Sequence, residues 1–257
     1  EVKVLAIGDI VGEAGVKKLK EELPKLKKQE GIDFVITNGE NAAGGMGLTE
    51  RYFKDIVDAG TNVVTMGNHT WGKKDIFKFI DHHRLLRPAN YPKGVVGKGC
   101  EIYECKGKKI AVMNFLGRVD LNILTENPFV MAKEMVEEIQ DQVDMIFIDF
   151  HAEATAEKIA MGRFLDGKIT ALWGTHTHVQ TADEQILPNG TGYITDLGMT
   201  GPKNSVIGMD EKVSFKRFET TLPEKYKLAE GECILNAVEF EIDDTSNKVT
   251  NIKRIIK

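Results

Sequence analysis

The stretch "IDFVITNGENAAGG", residues 32–45, contains the pattern that decides the fold. Residues 33–38 form an apolar, β-branched run that is typical of a strand buried on both faces. Two polar residues, Glu40 and Asn41, follow this run directly, together with several small residues. A carboxylate and an amide at such a strand end must either be solvated or bind a ligand.

Other segments repeat this alternation of a buried strand with an amphipathic helix. The pattern predicts strands over 2–8, 62–67, 145–151 and 169–175, and helices over 13–30, from Thr49, over 73–83 and over 154–165. His82 and His83 would end the third helix and complement its dipole. Alternating strands and helices indicate a mostly parallel sheet covered by helices.

Three segments carry hairpin signals instead. Residues 101–115 suggest two strands joined at 106–108, residues 184–198 contain an Asn-Gly turn at 189–190, and residues 232–257 alternate apolar and polar side chains around a turn near 243–247. The predicted fold class is therefore a two-sheet α/β sandwich with mixed sheets flanked by helices. No linker interrupts the chain, which favours a single domain over residues 1–257.

The composition restricts the classes of partner. The net charge of −5 argues against stable binding of duplex nucleic acid, but it allows a small phosphate ester held by a metal. The 3 cysteines (Cys100, Cys105 and Cys233) form no CxxC pair and suit buried, reduced thiols. No apolar run reaches the ~18 residues of a membrane span, and the N-terminus lacks a leader-like pattern, so a cytoplasmic location is expected.

Five predicted strand ends carry side chains that can bind metals. In open α/β sheets such loops converge at the carboxyl edge, although they are far apart in sequence. The candidate residues are Asp9, Glu40, Asn41, Asn68, His69, His151, His176 and His178.

Taken singly, each of these residues could serve a purely structural role. Asp9 could cap the helix that follows it, Asn68 could hold a turn, and a lone histidine could sit in the core. However, four of the 6 histidines fall at strand ends. Carboxylate, imidazole and amide oxygen together suit manganese, iron or zinc, and the set is large enough for two ions about 3.5–4 Å apart with a shared carboxylate. No thiolate is offered, which argues against a closed structural zinc site.

The order of these motifs resembles that of the calcineurin-like metallophosphoesterases. Members carry Asp-x-His, Gly-Asp, Gly-Asn-His, a lone His and Gly-His-x-His at successive strand ends. The corresponding stretches here are Gly8-Asp9-Ile10-Val11, Gly39-Glu40-Asn41, Gly67-Asn68-His69, His151, and Gly174-Thr175-His176-Thr177-His178. The last stretch contains one inserted residue, Thr175.

Two departures from the superfamily pattern are informative. Val11 stands where the first motif has histidine, and Glu40 replaces an aspartate. With "GENAAGGMGLT", "GNHTW", "DFHAEATAEK" and "TDLGMTGP", they are similar to the YmdB-type bacterial branch of 2′,3′-cyclic-nucleotide phosphodiesterases. The resemblance covers nearly the whole chain.

The resemblance implies a role for each ligand. Asp9, His178 and Asn41 would hold the first metal, with Asn41 in the place that Val11 leaves open. The second metal would be held by Asn68, His151 and His176, and Glu40 would bridge the two. The resemblance implies iron or manganese, while zinc also occurs in the superfamily.

The implied reaction is attack on phosphorus by a hydroxide that the metals supply. His69 would be the general acid, or alternatively a residue that only orients the site. Four further residues are candidates for substrate binding: Arg118, Met199, Thr200 and Gly201. Glu153 and Asp196 are candidates for supporting the ligand histidines.

Two other functions compete with this hypothesis. A dinucleotide-binding oxidoreductase would use Gly8, Gly12 and Gly15, but G-x-x-x-G-x-x-G has the wrong spacing and leaves the histidines unexplained. The other alternative is a catalytically inactive scaffold with the same fold. The expected partner is a small phosphate ester, with a cyclic nucleotide preferred, and a homo-oligomer stays open.

Overall fold

The computed structural model describes residues 1–257 and contains the predicted alternation of strands and helices. The strands are β1 (Val2–Ile7), β2 (Asp9–Ile10), β3 (Phe34–Asn38), β4 (Val63–Thr65), β5 (Leu85–Leu86), β6 (Cys100–Cys105), β7 (Lys108–Leu116), β8 (Met145–His151), β9 (Ala171–Thr175), β10 (Gln185–Ile186), β11 (Gly192–Ile194), β12 (Met199–Pro202), β13 (Cys233–Ile242) and β14 (Val249–Ile256). The α-helices are α1 (Gly12–Glu30), α2 (Glu50–Asp58), α3 (Pro128–Ile139), α4 (Thr155–Phe164) and α5 (Glu211–Thr220).

The strands form two mixed sheets. The first has the order β2-β12-β13-β1-β3-β4-β5, with β14 also paired to β13, and the second has the order β10-β11-β9-β8-β7-β6. Strands β1, β3, β4 and β5 run parallel in the first sheet, as do β7, β8, β9 and β11 in the second. The hairpins β6–β7, β10–β11 and β13–β14 supply antiparallel pairs, as predicted from their turns. The predicted fold class is confirmed.

The apolar residues form three layers of core. One cluster lies between the first sheet and helices α1 and α2, one joins the two sheets, and one lies between the second sheet and helices α3 and α4. Strand β1 shows why: Val4 and Ala6 belong to the cluster between the sheets, whereas Leu5 and Ile7 face the helices. A strand with both faces buried has to be apolar throughout, which explains the continuous apolar runs.

The prediction for residues 73–83 is wrong in part. Only a 3₁₀-helix forms, over Lys74–Lys78, and His82 and His83 lie exposed in turns beyond it. They stack on each other with ring centroids 4.7 Å apart, and they end no helix. The chain has to turn soon after Lys78, because β5 pairs with β4.

Two helices were not predicted, although each has a signal at its start. Asn127 caps α3 by accepting from the Phe129 and Val130 amides, and Asp210 caps α5 by accepting from the Val213 amide.

None of the helices combines the length and the apolar character that a membrane span needs. The three cysteines are unpaired and half-buried.

Candidate metal centre

The polar side chains converge where the carboxyl ends of both sheets meet. Asp9, Glu40 and Asn68 follow strands β1, β3 and β4 of the first sheet. His151 ends β8, and the His176–His178 loop follows β9 of the second sheet. The two sheets therefore contribute to one cluster, and all eight candidate metal and catalytic residues are linked within it by contacts under 3.5 Å.

The Glu40 carboxylate lies at the centre of this cluster and is completely buried. Its Oε1 atom is 2.9 Å from His151 Nε2 and 3.4 Å from His69 Nδ1. Its Oε2 atom accepts a hydrogen bond of 2.8 Å from the His69 backbone amide. One carboxylate therefore contacts residues from both sheets, as expected of a bridging ligand.

Asp9, Asn41 and His178 form one side of the cluster. His178 Nε2 lies 3.1 Å from Asp9 Oδ2 and 3.2 Å from Asn41 Nδ2. The backbone of Asn41 pairs with that of Val11 in an isolated parallel bridge, so Asn41 is a direct neighbour of the valine at the position where the superfamily motif has histidine. Its oxygen accepts from His69 Nδ1 at 2.6 Å, whereas its nitrogen faces His178. Binding a metal through the oxygen requires a half-turn of this amide.

His151 is the centre of the other side. Its Nε2 atom is 2.8 Å from Asn68 Oδ1, 2.9 Å from Glu40 Oε1 and 3.1 Å from His176 Nδ1. A single ring nitrogen cannot satisfy three such partners with one proton, whereas a cation attracts all of these donor atoms. His176 and His178 adopt positive φ values of 104° and 66°, a strained backbone that is common at ligand sites.

Two further observations fit a metal centre. The Asp9 Oδ1 atom is buried without a hydrogen-bond partner, which is costly for a carboxylate unless a cation accompanies it. Ligand atoms of Glu40, His151 and His176 all lie within 4.8 Å of one another. A Cβ atom at Gly67 would overlap both Glu40 Oε2 and His151 Nε2, so the absence of a side chain at Gly67 allows these two groups to lie close to the backbone there.

The pKa values show how strongly these groups interact without a metal. Burial alone would raise the pKa of Glu40, but the His151 and His69 rings hold it well below its usual range. Burial would lower the pKa of His151, but the Glu40 carboxylate outweighs this and raises it to about 9. Burial and the neighbouring His151 lower the pKa of His176 to about 4.

Neighbouring polar groups, of which Asp149 and Thr175 are buried and Glu153 is exposed, hold His151 and His176 in place. His151 Nδ1 is 2.8 Å from Thr175 Oγ1, which in turn donates to Asp149 Oδ1 at 2.6 Å. Glu153 Oε2 lies 2.9 Å from His176 Nε2 and leaves Nδ1 facing the cluster.

The His-Thr-His loop has a second support. Asp196 accepts from the Thr177 amide at 3.1 Å and pairs with Lys158 at 2.7 Å. Both members of this ion pair are completely buried. The predicted supporting positions of Glu153 and Asp196 therefore agree with the contacts.

A cavity of about 240 Å³ opens over the cluster. Its lining includes Glu40, Asn41, His69, Glu153, Thr177 and both loop histidines. It also includes Gly45, Ile207, Met209 and Tyr226. The last three were missed, because nothing local in the sequence connects them with the strand ends.

The four predicted substrate contacts lie elsewhere. Met199, Thr200 and Gly201 are buried in β12, which pairs with β2 behind Asp9, and none of them lines the cavity. Arg118 is exposed after β7, and its backbone amide donates to Glu157. Their role in substrate binding stays a prediction.

Comparison with known proteins finds similar phosphodiesterases and phosphatases. The chain is 50% identical over 256 residues to the 2′,3′-cyclic-nucleotide 2′-phosphodiesterase of Bacillus subtilis, covering 99% of this chain and 97% of the relative. A phosphatase crystal structure from Mycoplasma pneumoniae has a TM-score of 0.95 at 38% identity, covering 100% of this chain and 93% of that one. A crystal structure of a protein from Thermus thermophilus has a TM-score of 0.94 at 36% identity, covering 100% and 99%.

The fold and the similar solved structures place this protein among the phosphatases of the metallophosphoesterase type. The family described as YmdB-like protein matches residues 5–255. This chain belongs to that family, which confirms the resemblance and the predicted hydrolase class.

The oxidoreductase alternative is wrong. Besides the family membership, β12 covers the turn that would have to approach a pyrophosphate. A Cβ atom at Gly8 would overlap Gly198 O, and one at Gly15 would overlap Thr200 O, so both glycines serve close packing between backbones.

Proposed function

We propose that this protein hydrolyses 2′,3′-cyclic nucleotides at a centre for two transition-metal ions. The observation that carries the proposal is the convergence of carboxylate, amide and imidazole groups on His151 Nε2 and Glu40 beneath one cavity. The activity named for the Bacillus subtilis relative supports the choice of substrate.

The proposed ligands fall into two sets. Asp9, Asn41 and His178 would hold one ion. The second would be held by Asn68, His151 and His176, with Glu40 between the two sets. Iron, manganese and zinc all suit this mixture of ligands, and the family resemblance favours iron or manganese. When bound, such ions lower the pKa of a shared water and neutralise charge on the phosphoryl oxygens.

His69 is proposed as the general acid. The addition of water to phosphorus breaks the bond to O2′ of the ribose, and this oxygen needs a proton as it leaves. His69 lines the cavity, and its Nδ1 atom is held by Asn41 Oδ1 at 2.6 Å and lies 3.4 Å from the Glu40 carboxylate. After the half-turn that metal binding requires of Asn41, its amide nitrogen faces His69 Nδ1 and donates to it. The ring proton of His69 then lies on Nε2, which can protonate O2′.

The test is the substitution His69→Ala assayed with two leaving groups. Hydrolysis of 2′,3′-cyclic AMP to 3′-AMP should slow by ~10²-fold or more, whereas a nitrophenyl ester, whose leaving group needs no proton, should be affected much less. An equal loss on both would assign His69 to positioning instead.

Elemental analysis provides the second test. Protein prepared without chelators should carry about two transition-metal ions per chain. Absence of metal together with no turnover after addition of Mn²⁺ or Fe²⁺ would refute the enzyme and favour the inactive scaffold.

The choice of substrate has its own test. A small phosphate ester as substrate follows from the family, whereas the cyclic nucleotide is the finer proposal. With metal present, turnover of 2′,3′-cyclic nucleotides should exceed that of 3′,5′-cyclic nucleotides and of 5′-monophosphates. A preference for either of the other two classes would refute this choice and leave the hydrolase class intact.

A further inference from the structure

The cavity over the metal centre has a second kind of lining that the hydrolytic reaction does not use. Ile207, Met209 and Tyr226 contribute an apolar wall, which we call the 207–226 wall. No lysine or arginine lines the cavity, and the carboxylate of Glu153 lies at its edge. The wall can therefore make apolar contact with a substrate, whereas the cavity lining has no lysine or arginine that could bind a further phosphate group of the substrate.

This wall is attached firmly to the metal centre. The backbones of Met209 and Leu228 form an antiparallel bridge, which joins the two segments of the wall. His178 Nδ1 lies 2.9 Å from the carbonyl oxygen of Ile207 and donates to it, while His178 Nε2 faces Asp9. The side chain that is proposed to bind a metal therefore also fixes the position of the wall.

The backbone of Ile207 shows that this arrangement is constrained. Its φ of 49° lies in the left-handed region, which is unfavourable for a β-branched residue. Such strain persists only where the surroundings impose it, and it is common where a ligand is bound.

Tyr226 is the aromatic member of the wall. Its ring packs against Gly45, where a Cβ atom would come within 2.6 Å of the ring carbon Cε1. Tyr226 remains 41% exposed, and no side-chain hydrogen bond to its hydroxyl is formed. The small residues that end the stretch 32–45 thus leave room for an aromatic surface beside the metal centre.

We propose that the 207–226 wall, with Tyr226 as its main contact, is the platform on which the nucleobase of the substrate stacks. This inference rests on the proposed function, because the base is the flat, apolar part of a 2′,3′-cyclic nucleotide. A tyrosine ring recognises every base through its face and distinguishes them little, so all four bases are accepted, with purines bound more tightly than pyrimidines. Tyr226 thus favours substrates that carry a base over substrates without one, and it touches no reacting atom.

The experiment compares two cyclic phosphodiesters with and without a base. In Tyr226→Ala, the KM for 2′,3′-cyclic AMP should rise ~10-fold or more while kcat changes less than about twofold, because stacking contributes equally to the ground and transition states. Glycerol 1,2-cyclic phosphate, which has no base, should show unchanged kinetics. Tyr226→Phe should retain the KM of the wild type.

A binding measurement tests the same contact without turnover. The fluorescence of 2-aminopurine riboside 3′-monophosphate should be quenched by the wild-type protein and by Tyr226→Phe, and the quenching should be lost in Tyr226→Ala. Phe218→Ala is the matched control, since Phe218 is a 77% exposed aromatic of helix α5 that does not line the cavity. If Tyr226→Ala fails to fold, Tyr226→Leu retains the apolar volume without the aromatic face and should show the same rise in KM.

The outcomes separate the two proposals. A wild-type protein that hydrolyses neither phosphodiester with metal present refutes the proposed function and the platform with it. Hydrolysis of both with no dependence of KM on Tyr226, or an equal change on the base-free substrate, refutes the platform alone.

Discussion

Gly67 occupies the position where one added carbon would act directly on the metal centre. A Cβ atom there would overlap Glu40 Oε2 and His151 Nε2. The φ of Gly67 is not in the positive region, so alanine can adopt its backbone conformation without strain. We therefore expect Gly67→Ala to leave the backbone in place and to push these two ligands apart.

The magnitude follows from the contact distances. Carbon atoms approach other heavy atoms to about 3.5 Å without repulsion, so the two side chains must each move by roughly 1 Å. Metal–ligand distances tolerate only about 0.2 Å, and a misplacement of roughly 1 Å at an active site costs about 10²-fold in rate. Gly67→Ala should thus lower both metal affinity and kcat by ~100-fold or more.

The assay is metal content after equilibrium dialysis against Mn²⁺, together with turnover of 2′,3′-cyclic AMP. Gly44→Ala is the matched control, because a Cβ atom at Gly44 meets nothing within 4 Å while its φ of 68° still strains the backbone. It should retain metal despite a loss of stability of about 1 kcal/mol. If Gly67→Ala binds metal and turns over like the wild type, the proposal that Glu40 and His151 are metal ligands is refuted.

Three other predictions concern residues of the candidate site and its support. If Asn41 is a metal ligand, Asn41→Asp should retain metal affinity, whereas Asn41→Ala should lower it by ~10-fold or more. Similar losses of affinity in both variants would show instead that the amide nitrogen is needed beside His178. In metal-free protein the pKa of the His151 ring is about 9, so the ring carries a proton that must leave before Nε2 binds a metal. Calorimetric titrations should therefore show an affinity for Mn²⁺ that rises by up to ~tenfold per pH unit below pH 9 and becomes constant above it. A pH-independent affinity would contradict this. Lys158→Met should destabilise the protein by about 3–5 kcal/mol in urea unfolding, because it leaves the Asp196 carboxylate buried without its partner, and a loss below about 1 kcal/mol would contradict this.

The parts of the fold that could be predicted are those with short-range signals. Strand β3 shows a continuous apolar run because both of its faces are buried, and the β6–β7 turn has Lys106 and Gly107 at positive φ, as its sequence suggests. Residues 73–83 have helical spacing of apolar side chains, yet the need to turn into β5 limits the helix to one 3₁₀ segment. That constraint is tertiary and leaves no mark on the local sequence.

The site divides in the same way. The convergence of Asp9, Glu40 and His151 could be predicted because strand ends of a parallel sheet meet at a known edge. Ile207 and Tyr226 reach the cavity through a long excursion between β12 and β13, whose path depends on packing against Gly45 and His178. The orientation of the Asn41 amide is likewise a property of its neighbours His69 and His178, and its sequence context does not determine it.

Because both sheets contribute residues to one cluster, a metal bound there would affect the stability of the packing between the sheets. Glu40 follows β3 of the first sheet and His151 ends β8 of the second, so an ion bound by both would cross-link the sheets over the apolar layer between them. A ligand that binds only the folded state at a thousand times its Kd adds about 4 kcal/mol to the free energy of unfolding. If the proposed ion binds there, its removal would weaken the junction between the sheets as well as stop hydrolysis. Chelation should then make the protein more susceptible to proteolysis, so its resistance to a protease would report metal occupancy.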